Sequence, residues 1–148
     1  MRRKYIYKEK NYGRCIFCKI ANGEIPSATI FENDDVRVIL DIAPAAKGHA
    51  IMLLKKHAAN IFELDAETAG RIFTVVPKIA AAIKEVTGCD GLNILQNNGP
   101  AAGQTVFHLH IHFIPRYDND TVDVKWVTGS YSDGEAGELA KKIAEKIK

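Results

Sequence analysis

The chain has 148 residues, a formal net charge of +2 at pH 7, and 47% hydrophobic residues. This composition indicates a single globular domain with a substantial core, and so small a charge does not by itself indicate binding to nucleic acid or to a membrane surface. Since no apolar run approaches about 18 residues and none follows the basic start, the sequence predicts no membrane span and no secretory signal, and we expect a cytoplasmic protein.

Basic residues are concentrated at the start of the chain. Residues 1–13 contain Arg2, Arg3, Lys4, Lys8 and Lys10 against Glu9 alone. A basic arm of this kind is most often a solvated tail, whereas an arm that binds RNA or DNA would make binding steeply dependent on salt. We favour the solvated tail and expect no nucleic-acid partner.

The first half of the chain predicts one short helix and three strands. The helix covers residues 15–21 and is closed by Asn22-Gly23. Strands are expected over residues 28–31, 36–41 and 50–54, where apolar residues alternate or run together between turn-forming residues.

The second half predicts a long helix, two further strands and a terminal helix. The long helix begins after the N-cap Asp65 and ends before Gly88, and Pro77 is expected to bend it. Its apolar face comprises Ile72, Val75, Val76, Ile79, Ile83 and Val86. Strands follow over residues 92–95 and 106–114, and an amphipathic helix follows over 135–148. This order predicts an α+β fold around a five-stranded, mainly antiparallel sheet.

The most informative segment places a histidine at every second position, namely at His108, His110 and His112. A period of two is that of a strand, so all three imidazoles are expected on one face. The opposite face, with Phe107, Leu109, Ile111 and Phe113, is then expected to lie beneath the long helix. Clustered imidazoles are costly to desolvate without partners, which favours chemistry or metal binding over a purely structural role.

Two chemistries fit this pattern. The histidines could hold a catalytic zinc ion with an open position for water, or one neutral imidazole could attack a phosphorus atom directly. The glycine-rich segment 97–105 leads into the histidine strand. Its glycines permit close backbone approach, and its amides and hydroxyls can donate to phosphate oxygens. This segment favours the phosphate hypothesis.

A second cluster is indicated by Cys15 and Cys18, which form a Cys-x-x-Cys pair. Such a pair needs two further ligands to bind structural zinc, and His57 and His108 would complete the set. A redox pair or two unpaired thiols are the alternatives, although the sequence lacks the βαβ unit in which redox pairs usually lie. We expect zinc here, and Cys89 as a small buried apolar residue.

Two polar residues in the first half are further candidates for the site. His49 follows Gly48 at the start of the third strand, and it would add a phosphate contact if that strand lies near the histidine strand. Asp41 ends the second strand. It is interpreted either as a turn cap or as an acceptor for a ribose hydroxyl.

Together these motifs resemble the histidine triad (HIT) family. The resemblance rests on the alternating residues from His108 to Ile114, the preceding Gly103-Gln104-Thr105, Gly48-His49, Asp41-Ile42, and the segment from Cys15 to Ile20. It covers residues 14–117 and therefore predicts a HIT domain over that range. The basic arm, 1–13, and a C-terminal extension, 118–148, lie outside it.

The resemblance implies a homodimer with a continuous sheet and cleavage of purine nucleotides at the α-phosphorus, releasing an AMP-type product. It implies that His110 is the nucleophile and that His112 and His49 assist the leaving group. The implied phosphate contacts are Asn97, Gly103, Gln104 and Thr105, the implied ribose contact is Asp41, and the implied base pocket is Phe17, Ile20 and Ile42. Family members with a Cys-x-x-Cys pair often bind zinc, which implies the set Cys15, Cys18, His57 and His108. No metal is implied at the reacting phosphorus.

The leaving group stays open. One branch of the family removes amines from nucleoside phosphoramidates and another cleaves dinucleoside polyphosphates, and the sequence shares features with both. Transfer of the nucleotide to an acceptor other than water is a further alternative. Two other classes compete with this hypothesis: a zinc-dependent hydrolase in which the triad holds the metal, and a nucleotide-binding module without catalysis.

Overall fold

The structure, a computed structural model, describes residues 12–147. The basic arm predicted over residues 1–13 lies almost entirely outside this range. Within it, the elements follow the order α1 (Ile16–Ala21), β1 (Thr29–Glu32), β2 (Val36–Leu40), β3 (Ala50–Leu54), α2 (Ala66–Thr87), β4 (Gly91–Leu95), β5 (His110–Arg116) and α3 (Glu135–Ala144). The first four strands and α1 agree with their predicted bounds to within one residue at each end.

The strands form one sheet in the order β1-β2-β3-β5-β4, and every neighbouring pair is antiparallel. The predicted five-stranded α+β architecture is confirmed. β5 lies between β3 and β4, with His110 opposite Leu53 and His112 opposite Ile51 on β3. Two of the three histidines are therefore held in the interior of the sheet.

Both ends of α2 are fixed by the residues that the sequence predicts. Asp65 accepts a hydrogen bond from the N–H of Thr68 over 2.8 Å, and Gly88 ends the helix with φ +64°. The helix continues through Pro77. The predicted apolar face is buried at Ile72, Val75, Val76, Ile79 and Ile83. Val86 is 86% exposed because it lies in the last turn, outside the core cluster beneath the helix.

The two faces of the sheet carry different apolar clusters. The larger cluster packs beneath α2 and contains Leu109, Ile111 and Phe113 together with residues of β2 and β3. This confirms the predicted orientation of those three side chains. A smaller cluster, formed by Ala21, Ile39, Ile51 and Leu53, packs against α1 on the other face. The histidines of β5 lie on that second face because they alternate with the core residues.

The prediction for the last strand was wrong at both ends. β5 begins at His110 because the N–H of Leu109 bonds to the carbonyl of Ala58 at 2.7 Å, outside the strand ladder. Phe107 is 43% exposed and is not part of the core beneath α2. The strand continues through Pro115, where a missing N–H is tolerated because pairing with β3 ends at Phe113.

The C-terminal extension is exposed along most of its length. Residues 121–132 form neither helix nor strand, and α3 has no buried residue although Leu139 and Ile143 give it an apolar side. α3 ends at Ala144, before the predicted residue 148, as helix ends commonly fray over their last turn. Across residues 12–147, no helix combines the length and the apolar character needed to cross a bilayer.

Candidate active site and metal centre

A cleft of about 580 Å³ opens between α1, the sheet and the loop that precedes β5. It is lined by every residue predicted for catalysis or nucleotide binding except Gln104, namely Phe17, Ile20, Asp41, Ile42, His49, Asn97, Gly103, Thr105, His110 and His112. Apolar wall residues such as Leu95 and Val106 could not be predicted from the sequence, because an apolar residue looks the same whether it faces the core or a cleft.

His110 is held in one orientation by its own chain. Its Nδ1 lies 2.6 Å from the backbone carbonyl of His108. A carbonyl only accepts, so Nδ1 donates, and in the neutral ring the lone pair is then on Nε2. The edge of Phe17 contacts the ring, with 5.0 Å between centroids and an interplanar angle of 85°. His110 is only 7% exposed, and the ring nitrogen that carries its lone pair is Nε2.

His49 and His112 form a second directed pair across the cleft. The backbone N–H of Ala45 donates to Nδ1 of His49 at 3.0 Å, which leaves the proton of the neutral His49 ring on Nε2. That Nε2 lies 2.9 Å from Nδ1 of His112 and therefore donates to it. His112 consequently carries its own proton on Nε2, where it can serve as a donor. The sequence could not indicate the part played by Ala45, because the donor is a backbone amide.

Both imidazoles of this pair are neutral at pH 7. Burial, together with the neighbouring His110 and His49 rings, lowers the pKa of His112 to about 4. Burial also lowers the pKa of His49, partly opposed by the carboxylate of Asp41. Oδ2 of Asp41 lies 3.7 Å from Nε2 of His49, while its Oδ1 accepts from the N–H of Ala43 at 2.8 Å.

Gly48 allows the loop before β3 to deliver His49 to the cleft. Its φ is +91°, and a Cβ at this position would lie 2.6 Å from Cγ2 of Thr87 and 3.3 Å from Cγ of Pro115. Any side chain here would be strained and would also push the loop away from α2 and β5. The glycine that precedes His49 is therefore required by both conformation and space.

Gln104 has a different place from the one expected. Its side chain is 3% exposed, and its amide group donates to the carbonyl of Ala59 at 2.6 Å and to that of Val106 at 3.1 Å. Its Oε1 accepts from the N–H of Gly99 at 2.8 Å. These bonds turn the side chain into the loop, so Gln104 stabilises the loop that precedes β5 rather than facing the cleft.

The second cluster brings together Cys15, Cys18, His57 and His108, whose ligand atoms all lie within 4.8 Å of one another. Nδ1 of His108 lies 3.5 Å from Sγ of Cys15 and 3.4 Å from Sγ of Cys18, and Nδ1 of His57 lies 3.2 Å from Sγ of Cys18. A tetrahedral zinc ion with ordinary bond lengths would separate its sulfur and nitrogen ligands by roughly 3.5 Å. The spacing thus fits zinc.

The chemistry of these four side chains also fits a cation. Nε2 of His108 donates to the carbonyl of Leu54 at 2.8 Å, so its Nδ1 offers a lone pair to the cluster. Burial lowers the pKa of His108 to about 4, which keeps the ring neutral. Burial and the Cys15 thiol raise the pKa of Cys18 to about 12. A zinc ion would reverse that rise, because it stabilises thiolates.

The described residues contain one other group of potential ligands, Asp41, His49 and His112. In this group the nearest nitrogens of the two histidines are already bonded to each other. His110 belongs to neither group. The triad is thus divided, with His108 turned towards the cysteines and the other two histidines turned towards the cleft.

The family of the chain follows from its match to a known family model. The model of the HIT domain matches residues 22–119. The chain belongs to the histidine triad family. The Cys15–Cys18 pair and Phe17 lie before the matched range, although relatives of this family align over a longer part of the chain.

Three family relatives align over 90% of the chain. Protein hit of Bacillus subtilis is 43% identical and is covered over 94% of its length. The adenosine 5′-monophosphoramidase hnt1 of Schizosaccharomyces pombe is 41% identical and covered over 98%. The adenylylsulfatase HINT3 of Arabidopsis thaliana is 42% identical and covered over 69%.

Solved structures of histidine triad proteins have the same fold. The crystal structure of a family member from Bacillus subtilis superposes with a TM-score of 0.87 at 42% identity, covering 91% of this chain and 98% of the other. A zinc-bound family protein from Mycobacterium smegmatis superposes with a TM-score of 0.70 at 33% identity, covering 92% and 96%. Zinc therefore occurs in a histidine triad protein of the same fold.

Proposed function

We propose that this protein is a nucleotide hydrolase that cleaves purine nucleoside phosphoramidates or dinucleoside polyphosphates at the α-phosphate and releases AMP. The observation that carries the proposal is the bond from Nδ1 of His110 to the carbonyl of His108, which leaves Nε2 as a free nucleophile in the cleft. The names of two relatives, an adenosine 5′-monophosphoramidase and an adenylylsulfatase, support adenosine nucleotides as the substrate class.

In the first step, Nε2 of His110 forms a bond to the α-phosphorus and the bond from phosphorus to the leaving group breaks. Nε2 of His112, the nitrogen that the His49 contact leaves protonated, donates a hydrogen bond to the leaving atom, which takes its proton from solvent. In the second step, water attacks the nucleotidyl-histidine, the phosphorus–nitrogen bond breaks, and the proton lost by that water passes to solvent. The sum is substrate plus water giving AMP plus the protonated leaving group.

Different residues of the cleft suit the base, the ribose and the phosphate of a nucleotide. Phe17 and Ile20 offer an apolar surface to a purine base, and Ile42, which is fully exposed at 100%, would be covered by it. Asp41 lies at the edge of the cleft as the acceptor for a ribose hydroxyl. Asn97, Gly103 and Thr105 line the loop side, where they would contact the phosphate oxygens.

We further propose that Cys15, Cys18, His57 and His108 hold structural zinc and that the α-phosphorus reaction needs no metal. When bound, the ion would tie α1 to the segments before β5 and after β3. Retaining both thiols for zinc suits a reducing compartment, which supports the cytoplasm as the site of action. A hydrolase that uses the whole triad as zinc ligands is disfavoured, because the ligand atoms of His108 face away from His110 and towards the cysteines.

We also propose a homodimer in which two sheets join along β4. The two edge strands are β1 and β4. β1 carries a register irregularity between Thr29 and Phe31 and ends at the charged Glu32, features that discourage edge pairing. β4 is regular along its length and presents Ile94 at 43% exposure.

The test follows AMP release from adenosine 5′-phosphoramidate, adenosine 5′-phosphosulfate and diadenosine tetraphosphate. Wild type is compared with His110→Ala and with the matched control His110→Asn, whose amide can still donate to the His108 carbonyl but cannot attack phosphorus. We expect both variants to lose roughly 10³-fold or more of kcat/KM, with AMP still bound by the Asn variant. The fastest substrate identifies the leaving group.

Acid-quenched intact-mass spectrometry of the wild type should detect a nucleotidyl adduct that is absent from both variants. Binding of AMP by the wild type without turnover of any of the three substrates would instead identify a nucleotide-binding module. Turnover that a chelator abolishes while His110→Ala retains it would identify a metal-dependent hydrolase.

A further inference from the structure

The metal-site cluster and the reaction cleft share a residue. The ring of His108 belongs to the cluster, and its backbone carbonyl is the acceptor that fixes Nδ1 of His110 at 2.6 Å. His108 is completely buried, and its Nε2 is bonded to Leu54 at 2.8 Å. The position of this carbonyl therefore depends on what holds the His108 ring.

α1 provides a second connection. Cys15 caps this helix, with its Sγ accepting from the N–H of Cys18 at 3.4 Å. With only six residues, α1 cannot be stable by its own hydrogen bonds. Between the two cysteines, Phe17 contacts the rings of His108 and His110 edge-on, at 6.0 Å and 5.0 Å between centroids. Whatever fastens the cysteines also holds Phe17 against the nucleophile.

The third connection is the segment that follows β3. Nδ1 of His57 lies 3.2 Å from Sγ of Cys18, and its ring centroid is 5.0 Å from that of His108. The next residue, Ala58, accepts the N–H of Leu109 at 2.7 Å. Regular strand pairing has ended here, since β3 stops at Leu54 and β5 starts at His110. The cluster thus connects α1, the segment after β3 and the segment before β5, at a point where β3 and β5 are no longer paired.

We propose that Cys15, Cys18 and His57 are positioning residues for the reaction, because the metal they hold with His108 fixes the carbonyl and the phenyl ring that orient His110. This inference rests on the proposed function of the cleft and extends it to residues that touch no substrate. Loss of the metal is expected to release Nδ1 of His110 and to move Phe17, which weakens nucleotide binding and slows the chemical step.

The test compares zinc-loaded wild type with His57→Ala, a variant that alters neither the α1 cap nor any residue lining the cleft. His57→Cys, which keeps a fourth ligand, is the rescue variant, and Cys89→Ser, at a buried cysteine outside the cluster, is the matched control. The readouts are zinc content, ¹⁵N-histidine NMR of the His110 tautomer, the Kd for AMP, and kcat/KM. Ligand-supporting contacts of this kind are worth roughly 10- to 100-fold in activity.

We expect His57→Ala to lose zinc, the fixed Nδ1–H signal of His110 and roughly 10- to 100-fold in kcat/KM, with weaker AMP binding. His57→Cys should restore all of these, and Cys89→Ser should change none. A folded, zinc-free His57→Ala with an unchanged His110 signal and AMP affinity would overturn the proposal. Absence of turnover in the wild type would contradict the proposed function alone, since the NMR and binding readouts do not require it.

Should His57→Ala fail to fold, stepwise removal of zinc from the wild type by a chelator replaces it. The fraction of His110 with the fixed Nδ1–H signal, measured within the folded population, should fall in step with zinc content. A constant fraction would overturn the proposal.

Discussion

The backbone N–H of Ala45 donates to Nδ1 of His49 over 3.0 Å, and this bond sets the direction of the proton chain in the cleft. It leaves the His49 proton on Nε2, which donates to Nδ1 of His112 at 2.9 Å. The donor nitrogen of His112 is then Nε2. The backbone amide of Ala45 therefore determines which nitrogen of His112 can donate to a ligand in the cleft.

Removing that amide should slow the reaction without emptying the cleft. Ala45→Pro deletes the N–H, so the His49 ring can adopt either tautomer and His112 loses its fixed donor. Because one preorganised donor to the reacting group is worth roughly 10²–10³-fold in kcat, we expect kcat to fall roughly 10-fold or more with little change in AMP affinity. Ala46→Pro is the control, since the N–H of Ala46 makes no hydrogen bond within residues 12–147. An equal loss in both variants would assign the effect to the loop backbone instead.

Below neutral pH, the pH dependence of the free energy of unfolding should reflect His112. Its pKa lies at about 4 in the folded protein, below its ordinary value of 6.5, because burial and the neighbouring His110 and His49 rings disfavour the charged form. The unfolded chain therefore binds more protons between these values, so the free energy of unfolding should fall as pH is lowered from about 6.5 towards 4. The nearby Asp41 carboxylate acts in the opposite direction.

Chemical denaturation of wild type and His112→Gln at a series of pH values measures this contribution as a difference. The wild type should lose more stability than the variant across that window. Parallel pH dependences in the two proteins would contradict the assignment to His112.

Substitution of Gln104 should lower stability, whereas substitution of Asn97 should weaken substrate binding. Gln104→Ala leaves the N–H of Gly99 and the carbonyls of Ala59 and Val106 without their buried partner. The expected cost is about 1–3 kcal/mol in the free energy of unfolding. Asn97→Ala removes a side chain that lines the cleft, so it should raise KM with little loss of stability. Denaturant titrations and steady-state kinetics on both variants check this. A raised KM with unchanged stability in Gln104→Ala would instead support a phosphate contact by Gln104.

The β4 edge should control the oligomeric state. Ile94→Lys places a charge where the proposed dimer would bury an apolar side chain, which is a common protection of free sheet edges. We expect light scattering after gel filtration to give a dimer mass for the wild type and a monomer mass for the variant. Ile30→Lys, at the other edge strand and 45% exposed, is the matched control and should stay dimeric. A dimeric Ile94→Lys together with a monomeric Ile30→Lys would move the interface to β1.

Local chemistry explains which parts of this protein could be predicted from sequence. Alternation in residues 108–113 gave the correct faces for Leu109, Ile111 and Phe113, and cap residues gave the ends of α2, because these signals depend on near neighbours. The late start of β5 depends on a bond to Ala58 and the inward turn of Gln104 on a bond to Ala59, both far away in the chain. Backbone donors and acceptors such as Ala45 and Leu54 carry no side-chain signal at all.

The strand β5, which carries two histidines of the cleft, is also a central strand of the core, and its two faces are encoded in one period of two. His110 and His112 face the cleft, while Ile111 and Phe113 lie beneath α2. An insertion or deletion of one residue in β5 would exchange these faces, sending imidazoles into the hydrocarbon interior and a phenyl ring into the cleft. A change in the length of this segment would therefore disrupt the core and the cleft together, since a single alternation of side chains serves both.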